Sequence, residues 1–206
     1  MDEIVLYHSV ASRAVIALWL LHELSLPFRL ENTDIRTAKT KTPAYLALNP
    51  MGKVPTLKDG DVIVTENPAI CLYLADKYAY GRLTPKIDDP RRGAYLRWSV
   101  FATSVLDPTI NLPVSSDPKD AYHRGWGAFD AVVETVEKAL TPGPYLLGDW
   151  FTAADVIFGG VFAFGMFSQR IPSKPIFTAY YDRLNARDAF KRAAERTWPA
   201  ELFNQQ

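Results

Sequence analysis

Cysteine is nearly absent. The 206 residues hold one, Cys71, so no internal disulfide is possible, which fits a reducing compartment. Neither sign of charge is in excess: 23 Lys and Arg face 23 Asp and Glu. Nothing in that balance argues for nucleic acid or an anionic membrane as a partner. No apolar run approaches the roughly 18 to 20 residues that span a bilayer. The opening MDEIVLYHSV carries two acids and no basic stretch, unlike a secretory signal. These absences lead us to expect a cytoplasmic protein. There is also no phosphate-binding glycine loop, no GxGxxG, no metal-spaced cluster of His, Cys and carboxylates, and no internal repeat.

What is present is 48% hydrophobic and 22% charged, an ordinary globular composition. The most informative stretch runs from Asn49 to Asn67, NPMGKVPTLKDGDVIVTEN. Asn49-Pro50-Met51-Gly52 is a turn. Lys53 to Leu57 reads as a short strand with Pro55 at an edge or start, because proline cannot donate to a ladder. Asp59-Gly60 turns the chain into Val62-Ile63-Val64. Asn67 is expected as the N-cap of a helix with Pro68 at its first position. An open strand edge, the Glu66 carboxylate and a helix N-terminus thus fall together. A small peptide bearing an ammonium and a carboxylate at one end would satisfy all three.

Before this stretch, Glu3–Tyr7 reads as a strand and about Arg13–Leu24 as a helix. Phe28–Asn32 reads as a second strand and Thr42–Leu48 as a short helix capped by Thr42. Beyond a proline-bearing linker, helices are expected at about 90–106, 118–139, 177–184 and 186–196, with 198–206 as a tail. Phe151-Thr152-Ala153-Ala154-Asp155 has a capping-box pattern, with Phe151 as a staple.

The 49–67 stretch resembles the glutathione transferase superfamily. There a Val before a cis-proline pairs with the cysteinyl backbone of glutathione, matching Val54-Pro55. An acidic and small polar pair holds the γ-glutamyl end, matching Glu66-Asn67, although the family usually has Ser or Thr where Asn67 stands. The order βαβαββα and the Thr152–Asp155 box extend the likeness over nearly the whole chain. The resemblance implies a thioredoxin-like domain at 1–80, a linker at 81–89 and an all-helical domain at 90–206. It implies a cytosolic enzyme of bacterial, serine type, a homodimer that uses glutathione as co-substrate and no metal. A small hydrophobic electrophile would be the second substrate. Other glutathione-dependent chemistry, or a non-catalytic binding module, is the alternative.

Glutathione chemistry needs a thiolate, and a free thiol titrates near about 8.5. A hydroxyl or helix N-terminus aimed at the sulfur lowers that value. Ser9-Val10-Ala11-Ser12-Arg13 resembles the serine-type pattern, which assigns the donor to Ser9, with Ser12 second and Tyr7 third. Ser12 also reads as a plain N-cap. The resemblance further implies that Lys41 and Lys53 meet the ligand, with Lys39 in the same region, and that Arg13 either anchors the loop or faces the ligand carboxylates. Cys71, inside an apolar helix, reads as inert core. Tyr95, Trp98, Phe101, Thr103, Phe162, Phe164 and Phe167 are aromatic-rich candidates for core or for an apolar site. Asp107 stands where bacterial cysteine-type members carry His, so that subclass is set aside.

Overall fold

Eight elements precede Ala79: β1 (Ile4–His8), α1 (Val15–Leu24), β2 (Arg29–Asn32), a 3-10 turn (Ala38–Lys41), α2 (Pro43–Leu46), β3 (Thr56–Asp59), β4 (Val62–Thr65) and α3 (Asn67–Tyr78). Then come α4 (Arg92–Phe101), a π-helical segment (Ala102–Leu106), α5 (Asp107–Asn111), α6 (Pro118–His123), α7 (Phe129–Leu140), α8 (Ala153–Phe167), α9 (Pro175–Asn185) and α10 (Asp188–Thr197). These come from a computed structural model that describes residues 3–112 and 118–198. Most of the expected tail, 199–206, lies outside the described residues.

The chain forms two compact units. One comprises the chain up to Ala79 together with the segment from Arg187; the other is Tyr80–Ala186. The first holds a mixed four-stranded sheet in the order β2-β1-β3-β4. β1 pairs parallel with β2 and antiparallel with β3, the connection β1-α1-β2 supplying the crossover that parallel pairing requires. The fold is thus the expected thioredoxin-like βαβαββα arrangement, followed by an all-helical region.

Every residue of α1 from Val15 to Leu21 is buried. A helix apolar on all sides must be covered on all sides, and both α3 and α10 pack against it. Trp19 of α1 meets Phe190 of α10 edge-on at 4.9 Å. Arg187 donates two bonds, of 2.6 and 2.8 Å, to the two oxygens of Glu23 at the end of α1. The last helix therefore packs in the first unit, where the sequence reading had grouped it with the helical domain.

Several boundaries shift for local reasons. α1 begins at Val15, two residues later than expected, because 9–14 is a structured loop. β3 begins after Pro55, whose missing N–H keeps 53–55 out of the ladder. The expected helix at 118–139 is two helices, broken around Gly125 and Gly127. The first helical-region helix passes into a π turn before Asp107-Pro108. Pro108 has no N–H for the carbonyl one turn back, and the Asp107 N–H reaches five residues back, to Ala102 O.

The second unit is built on α8, buried from Ala153 to Ala163. Phe158 and Phe162 of α8 stack at 5.7 Å, and Phe162 also meets Phe177 and Tyr180 of α9. The capping box is formed: Asp155 accepts from Thr152 N at 3.0 Å and Thr152 caps in return. The same carboxylate accepts from Leu146 N at 3.0 Å and Tyr180 Oη at 3.1 Å. Burial pushes its pKa up to about 6 while these donors hold it down. Phe151, just before the box, packs edge-on against Tyr145. Asp155→Ala would orphan two buried N–H groups and a phenol, so a loss of roughly 3 to 5 kcal/mol is expected. Thr152→Ala should cost about 1 kcal/mol. Urea unfolding of the two variants measures both, and equal losses would contradict this hierarchy.

Candidate active site

The loop between β1 and α1 carries the first two candidates. Ser9 is 1% exposed. Its hydroxyl donates to Val10 O at a long 3.2 Å and accepts from Ile35 N at 3.3 Å. Ser12 is part-buried and holds a short 2.6 Å bond to Ser9 O, while accepting from Ala14 N at 3.2 Å. It does not cap α1, whose cap position is Ala14; it closes a turn that shapes the loop. Ser12's proton is thus firmly committed, whereas Ser9's is weakly held. Ala11 between them sits at φ +56°, a left-handed conformation that a non-glycine residue adopts only when held there.

The second part is the turn before β3. Asn49 is buried, and its Nδ2 donates to Lys53 O at 2.9 Å and Thr56 Oγ1 at 3.1 Å. Its Oδ1 accepts from Met51 N at 3.1 Å. Tyr45 of α2 adds a 2.6 Å bond from its hydroxyl to Lys53 O. Gly52 is at φ +59°, and a Cβ there would lie 2.7 Å from Thr40 O, so only glycine fits. This network delivers the chain into a cis Val54–Pro55 peptide bond, as the resemblance implied. Val54 is half-buried and Pro55 buried. Lys53 presents an exposed side chain while its carbonyl is consumed by the turn. Lys41 is exposed beside it, its Nζ 3.3 Å from Met51 O.

The third part is the start of α3. Glu66, exposed, occupies the cap position at φ +68°. Asn67 is therefore the first helical residue, not the N-cap expected from sequence, and no side chain caps the helix. Its Nδ2 instead donates to Arg13 O at 3.1 Å, tying the start of α3 to the serine loop across 54 positions. Its Oδ1 is buried without a partner among the described residues. Pro68 has no N–H, so the Asn67 and Ala69 N–H groups form the donor end of this helix.

The other candidates have different surroundings. Tyr7 lines a cavity of about 340 Å³ with Glu3, Val5, Arg29, Lys58, Gly60 and Asp61, and packs edge-on to Tyr45. Cys71 is fully buried, and burial pushes its thiol up. Tyr95, Trp98 and Phe162 are core, while Thr103 and Phe167 are exposed. Among the described residues no group of His, Cys and carboxylates is placed to hold a metal ion, and no helix is long and apolar enough to cross a membrane.

The model of the glutathione S-transferase N-terminal domain matches residues 12–77, and that of the C-terminal domain matches residues 119–186. Glutathione S-transferase hmp2 of Hypomyces subiculosus is 30% identical over 211 residues, 91% of this chain and 96% of the relative. The chain belongs to the glutathione S-transferase family. Human glutathione S-transferase theta-2 is 33% identical over 150 residues, 64% of this chain and 59% of that protein. A glutathione transferase structure from Methylococcus capsulatus superposes with a TM-score of 0.79 at 29% identity, covering 94% of this chain and 98% of that one. The theta class glutathione S-transferase of Xanthomonas axonopodis pv. citri, solved with glutathione bound, gives 0.72 at 30% identity over 94% and 97% of the two chains.

The residues that shape the site of this family member carry little local signature. Asn49, Tyr45 and Thr56 were visible only as turn, helix and strand residues. His8 closes β1 directly before Ser9. It is 2% exposed, with Nε2 2.9 Å from Thr197 Oγ1, and burial holds its pKa down to about 4 from an ordinary 6.5. Nothing local announces a partner 189 positions away. Asn49→Ala should lower unfolding stability by about 2 to 3 kcal/mol, since it removes all three hydrogen bonds that the buried amide makes to Lys53 O, Thr56 Oγ1 and Met51 N; an unchanged urea midpoint would show the turn is held otherwise. For His8 the sign follows from linkage. The native imidazole stays neutral while the unfolded chain binds a proton near 6.5, so its stabilisation is full above that pH and declines toward about 4. The stability of wild type relative to His8→Gln should therefore shrink as pH falls through that window, measured by urea unfolding at each pH.

Proposed function

We propose that this glutathione S-transferase binds glutathione on its first unit and ionises the thiol against Ser9. The supporting observation is the 3.1 Å bond from Asn67 Nδ2 to Arg13 O, which locks the Glu66 corner and the serine loop into one construction. Val54, just before the cis bond, offers its backbone to the cysteinyl residue. Pro55 fixes that edge. Glu66 faces the γ-glutamyl ammonium, and the N–H groups at Asn67 receive its carboxylate. Arg13, Lys41 and Lys53 supply positive charge toward the glutathione carboxylates.

The chemistry follows from the serine. Ser9 Oγ accepts from Ile35 N, which polarises its O–H as a donor. Its own bond to Val10 O is long and readily exchanged for one to sulfur. A donor in a buried setting stabilises the anion more than one in water. Lowering the thiol pKa by about two units corresponds to roughly 2.7 kcal/mol of preference for the thiolate. The thiolate then attacks an electrophilic carbon of a small hydrophobic substrate, and the leaving group departs with the bond pair. Ser12, already committed to Ser9 O, holds the loop. We further propose a cytoplasmic homodimer, with the division between domains near residue 80.

The test is calorimetric titration of glutathione into wild type, Ser9→Ala and Ser12→Ala, with the ultraviolet thiolate absorbance followed across pH. Wild type should bind glutathione and show a thiolate at neutral pH. Ser9→Ala should keep binding within about threefold but lose the thiolate. Its kcat/KM toward chlorodinitrobenzene should fall on the order of 100-fold, as expected for removal of one anion-stabilising donor. An unchanged thiolate in Ser9→Ala moves the role elsewhere, and no binding by wild type ends the transferase reading.

A further inference from the structure

The serine loop is held from a second direction. Thr197, the last residue of α10, is fully buried. Its hydroxyl lies 2.9 Å from His8 Nε2, and its carbonyl accepts from Ala11 N at 2.8 Å. One residue thus grips the loop at both flanks of Ser9-Val10: through the side chain just before Ser9, and through the backbone at Ala11. The second grip falls on the residue at φ +56°, whose left-handed conformation has no glycine to favour it. α10 is itself fixed to α1 by the Arg187–Glu23 fork and by Phe190 against Trp19.

We infer that Thr197 and His8 are positioning residues for Ser9, so that the end of α10 sets the direction in which the Ser9 hydroxyl points. His8 and Thr197 touch neither glutathione nor the electrophile in this reading. They act through the loop. The inference rests on the thiolate role of Ser9 proposed above. A displacement of the order of an ångström at a donor is enough to cost up to about 100-fold in rate, and a single lost hydrogen bond at Thr197 is expected to reach on the order of 10-fold.

The variants are Thr197→Val, which keeps the shape and removes the hydroxyl, Thr197→Ser, which restores it, and His8→Gln, which keeps a polar atom in reach. Glutathione affinity, the pKa of the bound thiol, kcat and KM toward chlorodinitrobenzene, and hydrogen exchange at the Ala11 amide are measured on the full chain. Thr197→Val should raise the bound-thiol pKa and lower kcat on the order of 10-fold, with KM for glutathione within about threefold of wild type. Ala11 exchange should accelerate. Thr197→Ser should recover most of both, and His8→Gln should lie between. A wild-type thiol pKa and kcat in Thr197→Val overturn the inference, as does a Thr197→Ser variant no better than valine. A parallel fall in kcat and melting temperature that serine does not rescue means a purely structural contact and overturns it as well. Failure of the underlying reading looks different: wild type itself then binds no glutathione, or Ser9→Ala retains the thiolate.

Discussion

A helix with no polar side decides the architecture of the first unit. α1 buries seven consecutive residues from Val15 to Leu21, and a four-stranded sheet can shield only part of such a surface. α3 covers another part. The remainder requires a helix from far along the chain, and α10 has the matching stripe, with Ala189, Phe190, Ala193 and Thr197 buried. The hydrophobic demand of one helix thus returns the end of the chain to its beginning. That return brings Thr197 onto the loop that follows β1.

Buried carboxylates mark the other fixed points, each held by donors on every side. Asp59 ends β3 with its side chain fully buried, and accepts from Tyr73 and Lys77 of α3 and from Tyr78. Burial raises its pKa, but the bonds from Lys77, Tyr78 and Tyr73 outweigh it, and the net shift is downward. The hairpin is thereby pinned to α3, the helix whose first turn carries Glu66 and Asn67. Asp155 does the same inside the second unit, with four donors from 146, 152 and 180. In both cases the charge is tolerated because its lone pairs are filled.

The site was partly legible because some of its chemistry is local. Proline and glycine act on their own backbone, so Val54-Pro55 and the Asn49–Gly52 turn could be read directly. A capping box needs only residues three apart, so Thr152 and Asp155 declared themselves. Asn67 misled for the same reason: its side chain is a favoured cap in isolation. A distant acceptor, Arg13 O, claimed the amide instead, and the cap position passed to Glu66 at a positive φ of 68°. Ser12 was ambiguous between a cap and a ligand donor, and the structure gives it a third task in the turn.

What the sequence by itself determined is the order of elements, the turn chemistry, the all-helical character after Tyr80 and the family likeness. Each depends on short-range stereochemistry or on the period of apolar residues, which the chain carries wherever it is placed. Only the tertiary structure decided that α10 packs on α1, that His8 pairs with Thr197, and that Asn67 ties α3 to the serine loop. These are bonds between groups 54 to 189 positions apart. Side chains such as His, Thr and Asn bond equally well to many partners, so their pairing is fixed by which buried surfaces meet.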